Sequence, residues 1–357
     1  MNYMLNGHNV FIILIVTFIF SVLLVHLSKY VARHIGAVDK VNEDSFRRLH
    51  KNVLPRLGGL GMFFAFLFGY VFFGTVDNRM VSIIIGAFIV VVVGMIDDIK
   101  SMKNIYKLIS HIVAGCIVVF FGGLVINNIT AFGLNLNFPV PLNYIFTIFF
   151  ITGAINAINF IDGMDGLSSG ISSIYFMTIA IIALILNKFG GLDILISVLM
   201  LGCTLGFLFH NFYPASIIAG DSGSQFMGYM IAIVAILGFK GTTLTSLVIP
   251  LLILFVPIVD TLFAIVRRKL KGQPAFKGDK DHIHHQLLKM KFSQRTSVLI
   301  IYAICILFSA VSIFYVLGDT KLAIAIYVVL MIIVLFFVAR TDILFEHSKK
   351  KGKKKDD

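Results

Sequence analysis

The sequence contains no tryptophan, only three cysteines and few charged side chains. Of its 357 residues, 13% are charged and 58% are hydrophobic, and the mean hydropathy is +0.96. So little charge excludes a soluble globular domain, which needs a more polar surface. The cysteines stand singly inside apolar runs, at spacings that fit neither a disulfide framework nor a cysteine-rich metal site. Because tryptophan is absent, tyrosine must serve as the aromatic residue at a lipid interface.

Long apolar runs recur along the whole chain and predict an all-α, polytopic membrane protein. A run of about 18 or more uncharged residues is long enough to cross a bilayer as a helix. The first run follows no basic stretch and precedes no small-residue cleavage site, so we expect a retained helix and not a signal peptide. We expect eleven spanning helices, at residues 9–28, 57–75, 80–96, 107–126, 142–161, 168–187, 192–211, 224–239, 245–266, 296–317 and 321–340.

Lysine and arginine are concentrated on alternate predicted loops. Four segments hold 26 of the 30, namely residues 29–56, 97–107, 267–295 and 340–357. Such residues are enriched on the cytoplasmic side of membrane proteins, so we expect the amino terminus outside and the carboxyl terminus in the cytoplasm. The net charge of +12 then reflects membrane topology and does not indicate a nucleic-acid partner. We expect residues 1–340 to form one integral-membrane domain and residues 341–357 a disordered basic tail.

Several polar residues interrupt the end of an apolar run at residues 156–167. Asn156, Asn159 and Asp162 recur every three residues, so a continuing helix would direct them to one site. Asp165 follows in a glycine-containing turn, where the backbone can approach a ligand closely. Carboxylates at a membrane boundary are costly and are commonly functional. A helix end that is simply capped by polar residues is the alternative.

Adjacent carboxylates, Asp97 and Asp98, end the third predicted span. They repel one another, so the pair needs a cation or basic partners. A hard divalent ion with oxygen ligands is one solution, and the lysines that follow, among them Lys107, are another. The segment 220–224, Gly-Asp-Ser-Gly-Ser, could present backbone N–H groups to an anion or serve as an ordinary helix N-cap.

Two further groups lie on predicted cytoplasmic loops. His282, His284 and His285 are three histidines within four residues, and they suit hydrogen bonding to phosphate or, less completely, binding of zinc. Arg47 and His50 in the first loop are either phosphate ligands or ordinary cytoplasmic charge. All the unusual polar groups thus lie on one predicted side, where carboxylates for Mg²⁺ and basic groups for phosphate favour phosphoryl transfer. A transporter would place such groups near the middle of the membrane.

Taken together, these motifs resemble the bacterial polyprenyl-phosphate N-acetylhexosamine-1-phosphate transferases of glycosyltransferase family 4. The resemblance covers nearly the whole chain, in order. The motifs that carry it are Arg47-x-x-His50, Asp97-Asp98, Asn156-x-x-Asn159-x-x-Asp162-Gly-x-Asp165, Asn211 with Pro214, Gly220-Asp221-x-Gly-Ser and His282-x-His284-His285. The last motif resembles the N-acetylglucosamine branch, whose members initiate enterobacterial antigen, O-antigen and teichoic acid. The muropeptide branch, which uses UDP-MurNAc-pentapeptide, carries three consecutive histidines.

The resemblance implies transfer of N-acetylglucosamine 1-phosphate from UDP-N-acetylglucosamine to undecaprenyl phosphate, with release of UMP. It implies a multi-pass protein of the bacterial plasma membrane with a cytoplasm-facing site, dependence on Mg²⁺ (with Mn²⁺ as a substitute), and possible homodimers. UDP-MurNAc-pentapeptide as donor, or a cation-coupled transporter, are the alternatives.

The resemblance also implies roles for individual residues. Asp221 and Asp98 would bind the metal, and Asp98 would be the base for the lipid phosphate with Asp97 in support, although a covalent aspartyl intermediate stays open. The histidines at 282, 284 and 285 would hold diphosphate or sugar. The expected substrate-binding residues are Arg47, His50, Lys107, Asn156, Asn159, Asp162, Asp165 and Asn211. One departure is Ile218, where the family often has an aromatic residue that can stack on uracil.

Overall fold

A computed structural model of the chain describes residues 4–39, 53–131, 134–186, 191–240, 254–270 and 283–340. Helices dominate these residues, which contain twelve α-helices. The helices are α1 (Val10–Ile35), α2 (Gly58–Phe73), α3 (Asn78–Ile99), α4 (Asn104–Cys116), α5 (Leu142–Ile161), α6 (Leu167–Ile185), α7 (Leu192–Asn211), α8 (Gly220–Lys240), α9 (Phe255–Leu270), α10 (Ile283–Lys289), α11 (Gln294–Leu317) and α12 (Thr320–Arg340). A π-helical turn, Ile117–Phe121, continues α4.

The helical prediction is confirmed in its coarse form. Each of the eleven predicted segments overlaps a helix, although part of the segment 245–266 lies outside the described residues. Seven helices among those described are long and apolar enough to cross a membrane, namely α1, α3, α4 with its π-helical continuation, α5, α6, α7 and α11. The protein is therefore a multi-pass membrane protein. The count of eleven spans and the side of each terminus stay predictions, and the basic tail at 341–357 lies outside the described residues.

Three short antiparallel hairpins also occur in the described part of the chain. The strand pairs are β1 (Met4–Leu5) with β2 (His8–Asn9), β3 (Val38–Asp39) with β4 (Leu54–Pro55), and β5 (Asn128–Ala131) with β6 (Leu134–Asn137). The sequence did not indicate them, because strands of two to four residues are too short for a period-two pattern to register. The β3–β4 pair connects the end of α1 to the start of α2.

The helix ends follow ordinary capping chemistry. The Asn9 side chain accepts a hydrogen bond from Phe11 N, and α1 ends at Gly36 with φ of +76°. A left-handed residue at this position closes the last turn, and glycine adopts it without steric cost. The Asp77 side chain likewise accepts from Met80 N at the start of α3, which satisfies one of the first free N–H groups of the helix.

Three helices form the interior of the bundle. In α6 and in α7, 78% of the most apolar stretch is buried, compared with 28% in α1. In α8, every hydrophobic residue between Phe226 and Ile236 is at most 1% exposed. The outer helices instead carry many exposed large apolar residues, such as Phe11, Phe149 and Ile332. These faces suit lipid, because lipid removes the cost of exposing them to water.

The amino-terminal turn of α8 is packed in direct backbone contact with α2 and α3. A Cβ atom at Gly59 would lie 2.2 Å from Gly223 N, and one at Gly94 would lie 2.6 Å from Ser222 Cα. Any larger residue at either position would collide with backbone. The glycines therefore fix where the first turn of α8 lies, and this turn carries Asp221.

Candidate active site

The first turn of α8 receives a carboxylate from the end of α3. Asp221 N donates to Asp98 Oδ1 at 2.8 Å, while Ser222 N and Ser222 Oγ donate to Asp98 Oδ2 at 3.1 and 2.8 Å. Helix N-termini have unpaired N–H groups and a partial positive charge that an anion stabilises. Asp98 thus caps α8 from another helix. The N–H groups of segment 220–224 therefore do face an anion, which is a side chain of the protein, and their contact with a substrate anion stays a prediction.

Arg56 completes the surroundings of Asp98. Its Nε lies 3.4 Å from Asp98 Oδ1, and its NH1 lies 3.7 Å from Asp39 Oδ1. Arg56 directly follows β4, so the β3–β4 pairing sets its position. Burial disfavours the guanidinium charge, but the carboxylates of Asp98 and Asp39 outweigh it and raise the pKa of Arg56 above its usual value.

The neighbouring carboxylate, Asp97, faces a different partner. Lys107 Nζ on α4 lies 3.3 Å from Asp97 Oδ2 and 2.8 Å from Asp221 Oδ2. Asp97 Oδ1 accepts from Met102 N at 2.7 Å, which shapes the turn between α3 and α4. Lys107 thus pairs with Asp97 as the lysine alternative predicts, whereas Asp98 pairs with Arg56, which the sequence did not indicate. A divalent cation at these carboxylates stays a prediction.

Asp162 directly follows the last residue of α5. Ser168 Oγ donates to its Oδ1 at 2.5 Å. The residue is partly exposed, whereas its carboxyl group points inward. Burial raises the pKa of the Asp162 carboxyl to about 7, and the charge of Asp221 adds to this rise while the bond from Ser168 opposes it. The substrate role given to Asp162 stays a prediction.

Asp165 and Asn211 hold the loop between α5 and α6 in place. Ala215 N donates to Asp165 Oδ2 at 3.0 Å. Gly166 N and Ser169 Oγ donate to Asn211 Oδ1 at 3.0 and 2.9 Å. The substrate roles given to these two residues stay predictions, and the contacts seen here serve the backbone of the loop.

Asn156 and Asn159 line one cavity of about 160 Å³, whereas Asp162, the third residue of the predicted set, is not part of its lining. The cavity lies between α4, α5 and α8, and Phe160 forms part of its apolar wall. Asn159 Nδ2 donates to Ser224 Oγ at 2.8 Å, which ties α5 to the first turn of α8. Lys107 lines the same cavity, so its ammonium group connects the cavity to Asp97 and Asp221.

Two polar residues of this cavity, His111 and Gln225, were not identified from the sequence. Both are buried, with 2% and 1% exposure. His111 follows Lys107 by four residues on α4, and Gln225 follows Asp221 by four residues on α8. Residues four apart share a helix face, so a search one turn beyond each predicted site residue would have found them.

Several predicted site residues cannot be placed. Arg47, His50 and His282 lie outside the described residues, as does the side chain of His284. His285 is a partly buried residue of α10. Ile283 N, at the start of that helix, donates to Asp260 Oδ1 on α9 at 2.8 Å. The roles of the three histidines and of Arg47 and His50 therefore stay predictions.

Two larger cavities lie elsewhere. One of about 350 Å³ is lined by Asp77, Arg79 and Asp193, and it lies at the opposite end of the bundle, since Asp77 precedes α3 and Asp98 ends it. The other, of about 360 Å³, is an apolar groove between α5, α8 and α9, lined by residues such as Phe146, Ile231 and Pro257.

Known proteins are similar in sequence to this chain over most of its length. The chain matches the family model for glycosyl transferase family 4 over residues 80–239. It is 40% identical to a probable undecaprenyl-phosphate N-acetylglucosaminyl 1-phosphate transferase of Bacillus subtilis, covering 90% of this chain and 89% of the relative. It is 31% identical to a decaprenyl-phosphate N-acetylglucosaminephosphotransferase of Mycobacterium tuberculosis, covering 77% and 74%. It is 28% identical to an undecaprenyl-phosphate alpha-N-acetylglucosaminyl 1-phosphate transferase of Escherichia coli, covering 81% and 79%.

The matched region spans α3 to α8, so it contains Asp97, Asp98, Lys107 and Asp221 in the arrangement described above. The family prediction made from the motifs is confirmed. This chain belongs to glycosyl transferase family 4.

Proposed function

We propose that the protein transfers N-acetylglucosamine 1-phosphate from UDP-N-acetylglucosamine to undecaprenyl phosphate and releases UMP. The observation that carries this proposal is Lys107 Nζ, which bonds to both Asp97 and Asp221 beside the cavity. An ammonium group has three N–H donors, and with two on carboxylates the third is available to a substrate phosphate. The names of the three relatives support N-acetylglucosamine 1-phosphate as the transferred group.

The residues present fit a magnesium ion that the substrates help to coordinate. Among the residues described, no cluster of three or more His, Cys, Asp or Glu side chains could hold a metal by itself. Mg²⁺ is commonly bound by one or two carboxylates, with water and substrate phosphates completing its shell. Asp221 would hold it, with Asp97 and Asn159 nearby. When bound, the ion would reduce the negative charge of the diphosphate.

Asp98 fits the roles of metal ligand and of base for the lipid phosphate less well than the sequence suggested. Both of its oxygens already accept hydrogen bonds from α8, and Arg56 pairs with Oδ1. Its side chain has no exposed surface, whereas that of Asp97 is 10% exposed. We therefore assign contact with the lipid phosphate to Asp97, and to Asp98 the positioning of α8. Asp98 as metal ligand or base stays a prediction.

The apolar groove suits the hydrocarbon chain of the lipid substrate. It is lined by α5 and α8, the helices that carry Asn159 and Asp221, and by α9. An apolar cavity between helices is a usual site for an apolar ligand. With the site at the end of α3 that leads into basic loop 97–107, the positive-inside rule favours a cytoplasm-facing site in a bacterial plasma membrane. A homodimer stays a prediction.

The direct test is donor comparison with purified protein. Undecaprenyl phosphate is mixed with UDP-N-acetylglucosamine or UDP-MurNAc-pentapeptide, with Mg²⁺ or with EDTA, and released UMP is measured. We expect UMP release from UDP-N-acetylglucosamine in Mg²⁺. The rate with the muropeptide donor should be at least about tenfold lower, which corresponds to a difference of about 1.4 kcal/mol in transition-state stabilisation. Preference for the muropeptide donor, or cation-driven flux in vesicles without UMP release, would contradict the proposal.

A further inference from the structure

A chain of side-chain hydrogen bonds links α5 and α4 to Asp221. Asn156 Nδ2 lies 3.3 Å from His111 Nδ1, and His111 Nε2 lies 3.0 Å from Gln225 Oε1. Gln225 Nε2 then donates to Asp221 Oδ2 at 2.9 Å. The four side chains belong to three helices, so the chain forms only when α4, α5 and α8 are packed together.

The direction of every bond in this chain is fixed at its start. Asn156 Nδ2 also donates to the backbone oxygen of Thr152 at 2.7 Å. A carbonyl oxygen can only accept, so the amide nitrogen of Asn156 must be the atom that faces it. The second N–H of that nitrogen then points to His111 Nδ1, which must accept. His111 is therefore neutral and carries its hydrogen on Nε2.

The same logic determines the orientation of Gln225. His111 Nε2–H donates to the amide oxygen, so the amide nitrogen is left facing Asp221. If the Gln225 amide were reversed, its oxygen would face a carboxylate oxygen and its nitrogen would face another donor, which is doubly unfavourable. His111 thus keeps Gln225 in the one orientation that can donate to Asp221.

The two helices present matched pairs of side chains. Lys107 and His111 are four residues apart on α4, and Asp221 and Gln225 are four residues apart on α8. Lys107 Nζ donates directly to Asp221 Oδ2 at 2.8 Å, while His111 acts on the same oxygen through Gln225. Lys107 and Gln225 thus donate to one carboxylate oxygen, and a side-chain hydrogen bond from Asn159 adds a third donor to Asp221. Loss of the Gln225 donor would remove one of these three restraints on rotation of the carboxylate.

We propose that His111 is a positioning residue which, through Gln225, fixes the orientation of the Asp221 carboxylate for binding of a divalent cation. This inference rests on the proposed function in taking Asp221 as the ligand. Partners of this kind orient metal ligands, and their removal typically costs about 10- to 100-fold in metal affinity or activity. A buried histidine that merely fills space between helices would show no such effect on metal binding.

The test measures Mn²⁺ binding to the full-length protein in detergent, by electron paramagnetic resonance of the free ion in the presence of UMP. We expect His111→Phe, which keeps the ring volume and removes both nitrogens, to weaken binding about 10- to 100-fold. His111→Gln keeps a donor toward Gln225 and should recover most of this loss. As matched control, His210→Phe removes another hydrogen-bonded histidine, between α7 and α1, and should leave Mn²⁺ binding unchanged.

A double-variant comparison separates the hydrogen-bond chain from general packing. Gln225→Leu should weaken Mn²⁺ binding as much as His111→Phe, and combining the two should add nothing, because both break one chain. Multiplying effects, or a His111→Gln variant as weak as His111→Phe, would overturn the inference. If His111→Phe fails to fold, His111→Leu takes its place in the comparison, and unchanged Mn²⁺ binding in either His111→Leu or Gln225→Leu overturns the inference. Failure of the proposed function would appear differently, as an absence of UMP release from the wild-type protein.

Discussion

A cavity lies near each end of α3, and the two cavities differ in size and in the side chains around them. At one end, the larger cavity of about 350 Å³ is lined by Asp77 and Arg79, and Asp77 caps its own helix three residues away. At the other end, the cavity is only about 160 Å³. There, Asp98 and Lys107 bond to the first turn of α8, more than 100 residues further along the chain.

The two ends differ in whether their polar contacts are long-range or local. Long-range polar contacts require several helices to be placed correctly, and buried charges are retained at a cost in stability unless they are paired. A local cap such as Asp77 requires only its own helix. We therefore place the proposed site where buried charges from distant parts of the sequence converge and not at the larger cavity, and the following variants test that choice.

The largest effect is expected for Asp221. Asp221→Asn keeps the shape of the side chain but removes the charge that pairs with Lys107 and would bind the cation, so UMP release should fall about 10³-fold. Asp77→Asn at the other end should stay within about twofold of wild type, as a local cap replaced by a residue that also caps well. Comparable rates for the two variants would erase the distinction between the ends.

Lys107 should rank second. Lys107→Met keeps the aliphatic chain but leaves Asp97 and Asp221 without their shared cation, and we expect about a 10²-fold loss of kcat/KM in UMP release. Lys107→Arg should lose less, since it keeps the charge although not the compact geometry. Arg79→Met removes a cation from the opposite end and serves as the control. A loss there equal to that of Lys107→Met would contradict the assignment.

Asp98 tests stability more than chemistry. Asp98→Ala removes the cap of α8 and leaves Arg56 without its buried partner, so the thermal midpoint in detergent should fall further than in Asp77→Ala, where only a cap worth about 1 kcal/mol is lost. Differential scanning fluorimetry of the two variants, side by side, measures this. Equal shifts would mean that the Arg56–Asp98 pair contributes nothing to stability.

The smallest effect concerns Asp162. Its folded pKa of about 7 lies above the ordinary value of 3.8, so between these values the folded protein binds more protons than the unfolded chain. Stability should therefore fall as pH rises from about 4 to about 7 and then level off. Without substrate or metal, Asp162→Asn should reduce this slope of the thermal midpoint against pH. An unchanged slope would assign it to another group.

The sequence predicted the helices and part of the site well, for a physical reason. Apolar runs of membrane-spanning length have few alternatives to helix. The spacing of Asn156 and Asn159 placed both in one cavity, whereas Asp162, beyond the end of α5, does not line it. Local patterns of this kind depend only on residues one or two turns apart.

The different partners of Asp97 and Asp98 could not be predicted from the sequence. Neighbouring residues on a helix point about 100° apart, so which one meets α8 and which meets Lys107 depends on how α3 packs. That packing is set by close contacts such as Gly94 against Ser222, which only tertiary structure reveals.

The structural role of Ile218 also could not be predicted from the sequence. Its N–H donates to Pro55 O and its carbonyl accepts from Gly58 N, so the backbone at this position holds α2 and α8 together.

The most direct measurement is the anomalous signal of Mn²⁺ in crystals of the protein grown with UDP-N-acetylglucosamine. The central claim is that the convergent end of the bundle, and not the larger cavity, binds the cation that the transfer requires. The account predicts a peak within about 2.5 Å of an Asp221 carboxylate oxygen. A peak beside Asp77 and Asp193, with none at Asp221, would contradict it.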